Sequence, residues 1–487
     1  MGTIRRIYKN MAFLSVAEFV SKILQFLLMV YAARLLDKNS FGKFSFALSL
    51  SFIAIIAADL GISMLLIREI ARNKNSADKY FINALVVKLV FAFVIFILLV
   101  AFLNLLNYPR DTRNVVYIIW LFSILSTFTD LFYSIFRAFE SMAYDASIKI
   151  ARMLILASAG FYVLYRYKNV FIFSWVFVVV EILMVLLAYL IASNKFIKFG
   201  ALLSLSFMRK IVKKALPFGL AFVFSSVYFY VGSVILSKMR GDAEVATYSV
   251  AYNLAFAFLF VPLVYTNAIY PVMSRYYKNS KENLKFIYTK SFKYLYIIGL
   301  PISVITFMLA DRIIVFFYGR EYISSIISFK IMSWYIFLKF LNTLMGSVLS
   351  SIDRQEKRML GQGVTAIFNL LVSILLISEY GYIGASISIL ITEIFLFVLY
   401  YFQVSKYFHA YNFTNILWKP AIIALIAAFA VDYAFTSILS LGLILTLFSY
   451  FLIYGLIIFA TALDKKDLEI FSKMFKGKIR KADSAGD

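Results

Sequence analysis

The sequence is first notable for what it lacks: it has no cysteine, a single histidine and six prolines in 487 residues. Without thiols the chain forms no disulfide bonds and offers no thiol chemistry. His409 stands in a polar link beside Tyr411 and Asn412, which indicates a surface role and not a metal site. A G-x-x-x-x-G-K-[ST] loop is also missing, so the chain does not hydrolyse nucleotide itself. We therefore expect no catalytic residues, no metal and no other cofactor.

Negative charge is scarce too, since 25 acidic residues face 49 basic ones and leave a net charge of +24. A nucleic-acid-binding domain would gather these cations on one surface. Here they lie between apolar runs, as in a membrane protein that follows the positive-inside rule. The hydrophobic fraction of 63% and the mean hydropathy of +0.87 are too high for one soluble core. The sequence therefore predicts an all-α polytopic membrane protein.

Apolar runs of about 20 residues, separated by polar links, predict about fourteen membrane spans. The second shows the pattern best: a polar turn at 37–40, a long apolar run, and then Arg68 and Arg72 at the end. Basic residues are roughly three times more frequent in the links on the N-terminal side than in those on the other side, so both termini are predicted to be cytoplasmic in a multi-pass protein of the cell membrane. The predicted spans are 11–35, 41–67, 81–106, 114–137, 147–166, 170–193, 215–238, 245–272, 292–310, 325–350, 359–378, 382–404, 417–438 and 441–462.

An internal repeat predicts the architecture. Phe44-Ser45-x-Ala47 recurs as Tyr248-Ser249-x-Ala251, and the intramembrane acid Glu181 recurs as Glu393. These offsets, about 204 and about 212 residues, are nearly constant and the matches keep their order, which is the signature of a duplicated unit. Since each unit has an even number of spans, the two units have the same orientation and are parallel repeats with a substrate path between them.

We therefore predict two parallel six-helix lobes, followed by two more helices. The predicted domains are an N-lobe (1–200), a C-lobe (201–410), spans thirteen and fourteen (411–463) and a basic cytoplasmic tail (464–487). A monomer is the expected oligomeric state of such a two-lobe transporter.

Charged side chains inside a bilayer usually face protein or a water-filled cavity, because each costs a few kcal/mol in hydrocarbon. Ser15, Glu18, Lys22 and Gln25 follow helical spacing and form one polar stripe on the first span. This stripe fits a basic cavity for an anion, with Lys22 at its centre. It fits equally well a Glu18–Lys22 ion pair that holds helices together.

Further candidates for this cavity come from other spans. Lys88 and Arg152 lie nearer the inner surface, where snorkelling to lipid headgroups is the competing interpretation. For Asp59, and for the repeated acids Glu181 and Glu393, a structural role is favoured. Tyr252 and Asn253 offer the aromatic and amide groups that suit sugar rings. The complete set of cavity candidates is Lys22, Glu18, Gln25, Arg34, Asp59, Lys88, Arg152, Tyr252 and Asn253.

Several local motifs resemble one known family. Asp37…Gly42-Lys43-Phe44-Ser45 followed by Asp59-Leu60-Gly61 is similar to the opening signature of the polysaccharide-biosynthesis (Wzx-type) flippases. These belong to the multidrug/oligosaccharidyl-lipid/polysaccharide exporter superfamily. The supporting stretches, in the family's order, are Leu216-Pro217-Phe218-Gly219, Tyr270-Pro271-Val272-Met273-Ser274, Phe317-Tyr318-Gly319-Arg320 and Tyr380-Gly381-Tyr382-Ile383-Gly384-Ala385.

The resemblance implies a V-shaped, MATE/MurJ-like fold and a flippase, not an enzyme. Its substrate would be an oligosaccharide linked through phosphate or pyrophosphate to a polyprenol, moved from the inner to the outer leaflet by alternating access. Membrane lipids and other glycan-assembly proteins would be its partners, and nucleic acid would not. Where many relatives carry an acid in the seventh span, this sequence has Val231-Gly232-Ser233, so coupling to a cation through that position is not implied.

Two alternatives remain open at this point. A multidrug or cation antiporter of the same superfamily would favour an acidic cavity, which the deep cation Lys22 argues against. A polytopic glycosyltransferase or polysaccharide polymerase would need a long outer loop or a pair of acids at the membrane surface, and the predicted outer links are short.

Overall fold

The computed structural model describes residues 3–198, 200, 203–410, 418–433 and 442–461, and all of its regular structure is helical. The first half contains α1 (Thr3–Leu35), α2 (Lys38–Asp59), α3 (Ile62–Arg72), α4 (Ala77–Leu105), α5 (Arg110–Ala138), α6 (Met142–Tyr167) and α7 (Val170–Lys195). The second half contains α8 (Leu205–Arg240), α9 (Asp242–Phe258), α10 (Phe260–Asn279), α11 (Lys281–Met308), α12 (Ala310–Tyr318), α13 (Ser325–Ser351) and α14 (Gln355–Tyr407). Two further helices follow, α15 (Trp418–Tyr433) and α16 (Leu443–Thr461).

Polar residues in the links fix where the helices begin. The Asp37 side chain accepts a hydrogen bond from the Ser40 amide at 3.0 Å and caps α2. Asn169 caps α7 in the same way through the amides of Phe171 and Ile172. Such caps satisfy amides that have no partner within the helix. They explain why these two borders lie close to the predicted ones.

Eleven helices in the described residues are long and apolar enough to cross a membrane. One of them, α14, has 53 residues and a non-helical Gly381 (φ 55°, ψ −132°), which divides it into two arms. With this division, and with α8 and the shorter α15 counted as well, the described helices amount to about fourteen crossings, as predicted. The predicted fold of two parallel six-helix lobes plus two C-terminal helices is confirmed. The tail 464–487 lies outside the described residues.

The repeat is visible in a shared irregularity. The second crossing breaks between α2 and α3, where Leu60 and Gly61 have φ of 43° and 77°. The eighth crossing also breaks, at Leu259 between α9 and α10, but Leu259 follows Ser249 by ten residues whereas Leu60 follows Ser45 by fifteen. We predicted each of these as one continuous span, because an apolar sequence carries little signal for a break inside hydrocarbon.

The helices pack as two groups. Helices α1–α7, here the N-lobe, pack mainly on one another, as do helices α8–α14, here the C-lobe, while α15 and α16 lie against α11. The lobes meet along α2, which packs against both α8 and α9. Gly42 permits this approach, because a Cβ there would overlap the backbone carbonyl of Asp242. A Cβ on Gly219 would likewise overlap the backbone of Leu60.

The lobes are joined by polar contacts on the membrane face opposite the one where α1 begins, called here the distal face. The Lys238 ammonium donates to the Leu106 carbonyl at 2.6 Å, and Thr112 donates to Asp242 at 3.4 Å. The Arg34 guanidinium donates to the Phe317 carbonyl at 2.6 Å. These bonds close the distal face.

Candidate functional site

A cavity of about 780 Å³ lies between the two lobes. The N-lobe contributes α1 and α2, and the C-lobe contributes α8, α9, α10, α13 and α14. Its volume falls in the range of known ligand pockets, about 300–1,000 Å³. The polar and charged residues that line it are Lys22, Gln25, Ser45, Ser49, Ser226, Tyr228, Tyr230, Ser233, Ser249, Tyr252, Asn253, Lys339, Asn342, Thr343, Arg358, Gln362, Thr365 and Tyr400.

The charge of this lining is of one sign. Lys22, Lys339 and Arg358 are its charged residues, and no carboxylate lines the cavity within the part of the chain that the structure describes. These cations, of which Lys339 shares its charge with the buried carboxylate of Glu393, attract an anion in a space with low-dielectric walls much more strongly than in bulk water. The cavity is therefore chemically suited to an anionic ligand.

Lys22 is the cation that the sequence analysis placed at the centre of the site. Its ammonium lies 5.4 Å from the centre of the Phe256 ring, which belongs to the opposite lobe. The alternative, a Glu18–Lys22 ion pair, is wrong. Glu18 pairs instead with Lys149, whose ammonium lies 2.5 Å from the Glu18 carboxylate. Lys22 thus makes no ion pair within the described structure and faces the cavity.

Lys339 is a cavity-lining cation that was not among the candidates from the sequence. Its ammonium lies 3.3 Å from a carboxylate oxygen of Glu393 and 4.6 and 4.8 Å from the ring centres of Tyr228 and Phe229. It also lines the cavity. An available signal was the repeated acid Glu393, because a fully buried carboxylate requires a cation or several donors nearby.

The acids Glu181 and Glu393 hold equivalent places in the two lobes. Both are fully buried. Glu181 accepts from the Thr129 hydroxyl at 2.6 Å, and Glu393 accepts from the Asn342 amide at 2.7 Å. Glu393 also accepts from the Tyr228 hydroxyl. These contacts join different helices of one lobe, which fits the structural role that we favoured from the sequence.

Arg358 is the third cation. It lies in the first turn of α14, and its guanidinium donates to the Ser350 hydroxyl at 3.0 Å. It was not among the cavity candidates from the sequence. It enters the site because the α13–α14 corner lies at the mouth of the cavity.

Positions along the helices give the depths of these groups. Lys22 precedes the distal end of α1, and Lys339 follows the distal start of α13. At a helical rise of 1.5 Å per residue each lies about 20 Å below the distal face, whereas Arg358 lies near the opposite surface. Two cations from different lobes therefore share one depth in the middle of the membrane.

Hydroxyl and amide groups supplement the cations. Tyr252 and Asn253 line the cavity as candidates from the sequence, and so does Gln25. The hydroxyls of Ser45, Tyr252 and Thr365 are buried and have no hydrogen-bond partner within the described structure. A buried polar group without a partner costs about 1–3 kcal/mol, so such groups mark places where a polar ligand or water binds.

The remaining candidates do not line this cavity. The Lys88 ammonium lies 2.5 Å from Asp59 and donates to the Thr127 carbonyl at 3.1 Å. Lys88 is 2% exposed, so the snorkelling interpretation is wrong for it. The N-lobe pairs these charges internally because α3, α4 and α5 converge there.

Arg152 and Arg34 are also engaged elsewhere. The Arg152 guanidinium lies 3.4 Å from Glu181, inside the N-lobe. Arg34 bonds the carbonyls of Phe316 and Phe317 and so belongs to the contacts of the distal face. Both side chains stabilise helix packing, which sequence spacing could not distinguish from a cavity role.

His409 lies in a smaller pocket outside the membrane-spanning part, beside Lys281, Lys285 and Tyr407. Burial and the neighbouring Lys285 ammonium lower the pKa of the imidazole. The side chain is therefore neutral at pH 7, and it does not add to the charge of the central cavity.

Comparisons with known proteins agree with this architecture. The family model described as "Polysaccharide biosynthesis protein" matches residues 7–277, and the MatE family model matches residues 217–375. An uncharacterised membrane protein of Methanocaldococcus jannaschii is 23% identical over 81% of this chain and 83% of its own. The capsular polysaccharide biosynthesis protein CapF of Staphylococcus aureus is 19% identical over 82% of this chain and 100% of its own.

Among solved structures, the inward closed conformation of the lipid II flippase MurJ superposes with a TM-score of 0.75 at 15% sequence identity. The match covers 96% of this chain and 99% of that structure, so the V-shaped two-lobe fold is shared over essentially the whole length. Since the first family model spans more than half of the sequence, the chain belongs to the polysaccharide biosynthesis protein family, and with it to the transporters of the multidrug/oligosaccharidyl-lipid/polysaccharide exporter superfamily.

Proposed function

We propose that the protein is a flippase for a polyprenyl-(pyro)phosphate-linked oligosaccharide, which it moves from the inner to the outer leaflet by alternating access for the assembly of cell-surface glycans. One observation carries this proposal. The cavity between the lobes has three cations and, within the described residues, no carboxylate in its lining.

The physical need for such a cavity is clear. A phosphate and the hydroxyls of a sugar lose their water partners in about 30 Å of hydrocarbon. Lys22 and Lys339 supply positive charge from opposite lobes at mid-membrane depth, where the phosphate has to pass. Arg358 adds a cation near the surface where the headgroup enters. The polyprenyl tail needs no cavity, because it stays in the lipid.

The size of the cavity limits the headgroup. A volume of about 780 Å³ accommodates a short oligosaccharide and not a long polymer. The names of two similar proteins, a capsular polysaccharide biosynthesis protein and a lipid II flippase, are compatible with glycan assembly and with a lipid-linked sugar. The flippase therefore acts on single repeat units before they are joined.

The antiporter alternative rests on the MatE match over residues 217–375. A lipophilic drug cation would be repelled by Lys22, Lys339 and Arg358, and the described lining has no carboxylate to pair with it. The flippase function is thus the better match to the charge. The solved structure that shares the fold over nearly the whole chain is named a lipid II flippase, which favours a transporter over the glycosyltransferase alternative.

The proposal also includes the orientation in the membrane, the two moving lobes and the oligomeric state. Both termini lie in the cytoplasm, the lobes 1–200 and 201–410 move against each other, and the chain works as a monomer with membrane lipids and glycan-assembly proteins around it. Single cysteines test the orientation without background, because the chain has no cysteine of its own. A cysteine at Lys74 should react only with thiol reagents inside the cell, and one at Arg110 only with reagents outside.

Transport in proteoliposomes tests the function itself. The substrate is a polyprenyl diphosphate carrying a labelled oligosaccharide, and the readout is protection of the label from an external quencher. We expect the wild type to move the lipid, and Lys22→Gln and Lys339→Gln to lose at least about tenfold in rate, as when one charged contact is removed. Lys330→Gln is the matched control, since Lys330 is on α13 but does not line the cavity. Transport of a lipophilic cation in place of the lipid would overturn the proposal.

A further inference from the structure

The distal end of the cavity is lined by serines and not by charges. Ser45 on α2, Ser233 on α8 and Ser249 on α9 all line the cavity. Each lies two turns from the distal end of its helix, which is about 10 Å along the helix axis. The three helices pack against one another. Three hydroxyls from three adjoining helices therefore face one space at similar depth, and we call them the serine tier.

The internal repeat relates two of these residues. Ser45 and Ser249 are the serines of Phe44-Ser45-x-Ala47 and Tyr248-Ser249-x-Ala251. They lie in equivalent positions on α2 and α9, the two helices that close the distal face at Gly42 and Asp242. The two serines of the repeated sequence motif thus both line the cavity.

Small residues such as serine also allow helices to pack closely, which is the alternative role of these three residues. The Ser45 hydroxyl indicates a role in ligand binding in addition to packing. Ser45 is 5% exposed, lines the cavity, and its hydroxyl has no hydrogen-bond partner within the described structure. Tyr252, which lies between the serine tier and the cations, has an unpartnered buried hydroxyl as well. Close packing alone would be served equally well by alanine.

The depths separate the serine tier from the cations. Lys22 and Lys339 lie about 20 Å below the distal face, so about 10 Å along the membrane normal divides them from the serines. A headgroup that enters from the face of the N-terminus has its phosphate nearest the lipid tail and its sugars furthest in. With the phosphate at the two lysines, the sugars extend toward the closed distal end.

We propose that the serine tier is a sugar subsite, in which the hydroxyls of Ser45, Ser233 and Ser249 bind neutral sugar rings of the headgroup while the lysines bind its phosphate. This inference rests on the proposed function and adds a division of the cavity into two subsites. Hydroxyls recognise a neutral hexose by hydrogen bonds, whereas an acidic sugar would find no cation among the described cavity-lining residues at this depth. The subsite therefore selects for neutral sugars in the part of the headgroup that extends beyond the phosphate.

The experiment compares two probes in proteoliposomes. One is a polyprenyl diphosphate carrying a disaccharide of neutral hexoses, and the other is the bare polyprenyl diphosphate. For each, the measurement is the rate at which the headgroup becomes accessible to a hydrolase added outside. The variant is Ser45→Ala/Ser249→Ala. The matched control is Ser51→Ala, because Ser51 is on the same helix, fully buried and unpartnered, but does not line the cavity.

We expect the double variant to move the disaccharide lipid about tenfold more slowly, as two lost hydrogen bonds predict, and the bare lipid at the wild-type rate. The control should move both lipids as the wild type does. An equal slowing of both lipids, or an unchanged rate for the disaccharide lipid, would overturn the sugar subsite and leave the flippase function standing. A wild type that moves neither lipid would overturn the flippase function, and with it the subsite.

Discussion

Lys339 lies 3.3 Å from Glu393, and the same ammonium that pairs with this buried acid also lines the cavity. The acid holds the cation in place, and the rings of Tyr228 and Phe229 enclose it from the side. A lysine held in this way loses little conformational freedom when an anion binds. The structure thus provides a preformed cation at the point where the lobes face each other.

The first prediction concerns the stability that Glu393 provides. In Glu393→Ala the Lys339 ammonium, the Tyr228 hydroxyl and the Asn342 amide lose their common acceptor, and breaking such a buried pair costs about 3–5 kcal/mol. We expect a clearly lower midpoint of thermal unfolding in detergent. Glu379→Ala, an exposed change on the same helix, should unfold as the wild type does. Equal midpoints for both variants would contradict a structural role for Glu393.

The second prediction concerns Asp59 and Lys88, which the sequence analysis had placed among the cavity candidates. Since they pair at 2.5 Å inside the N-lobe, Lys88→Met should leave a partly buried carboxylate unpaired and destabilise the protein by about 3–5 kcal/mol. Asp59→Asn/Lys88→Met should recover part of this loss, because it leaves no unpaired charge. Thermal unfolding of the two single variants and the double variant gives the coupling. Strictly additive effects would show that the pair does not act as a unit.

The third prediction concerns Gly42, where α2 and α9 approach on the distal face. Any side chain there overlaps the Asp242 carbonyl, so Gly42→Val should push the lobes apart and open the cavity on that side. A cysteine at Ser49, which lines the cavity, should then react with a thiol reagent added from the distal face. Gly455→Val is the control, since a Cβ at Gly455 meets nothing within 4 Å. If Ser49→Cys reacted with the thiol reagent at the same rate with and without Gly42→Val, Gly42 would have no part in closing the distal face.

Much of the fold was readable from the sequence, for reasons of simple physics. Hydrocarbon thickness fixes the length of a span, and a duplication leaves matched residues such as Ser45 and Ser249 at a constant offset. Lys22, Gln25, Tyr252 and Asn253, which the sequence offered as candidates because polar side chains in a span seek water or protein, line the cavity, and their part in substrate binding stays a prediction.

Other features of the site could not be predicted. A cation deep in a span has two low-energy solutions, a water-filled cavity or a buried carboxylate, and sequence spacing along one helix does not distinguish them. Lys88 is paired with a partly buried carboxylate because Asp59 approaches it from α2. Lys339 is paired with Glu393 of α14 and also lines the cavity. Only the packing of several helices decides between these outcomes.

The last prediction uses the equivalence of the two lobes. Thr129 donates to Glu181 in the N-lobe as Asn342 donates to Glu393 in the C-lobe. A hydrogen bond to a charged group contributes about 1.5–3 kcal/mol, so Thr129→Val and Asn342→Leu should lower the midpoint of thermal unfolding by similar amounts.

Ser134→Ala and Ser333→Ala are the matched controls for these two variants, since each is a buried serine on the same helix whose hydroxyl donates only to its own helix. They should change the midpoint little. If only one of the two variants lowered the midpoint of thermal unfolding, the hydrogen bond to the buried acid would not stabilise the other lobe. The pseudo-symmetry would then extend to the backbone but not to the energetics of the buried acids.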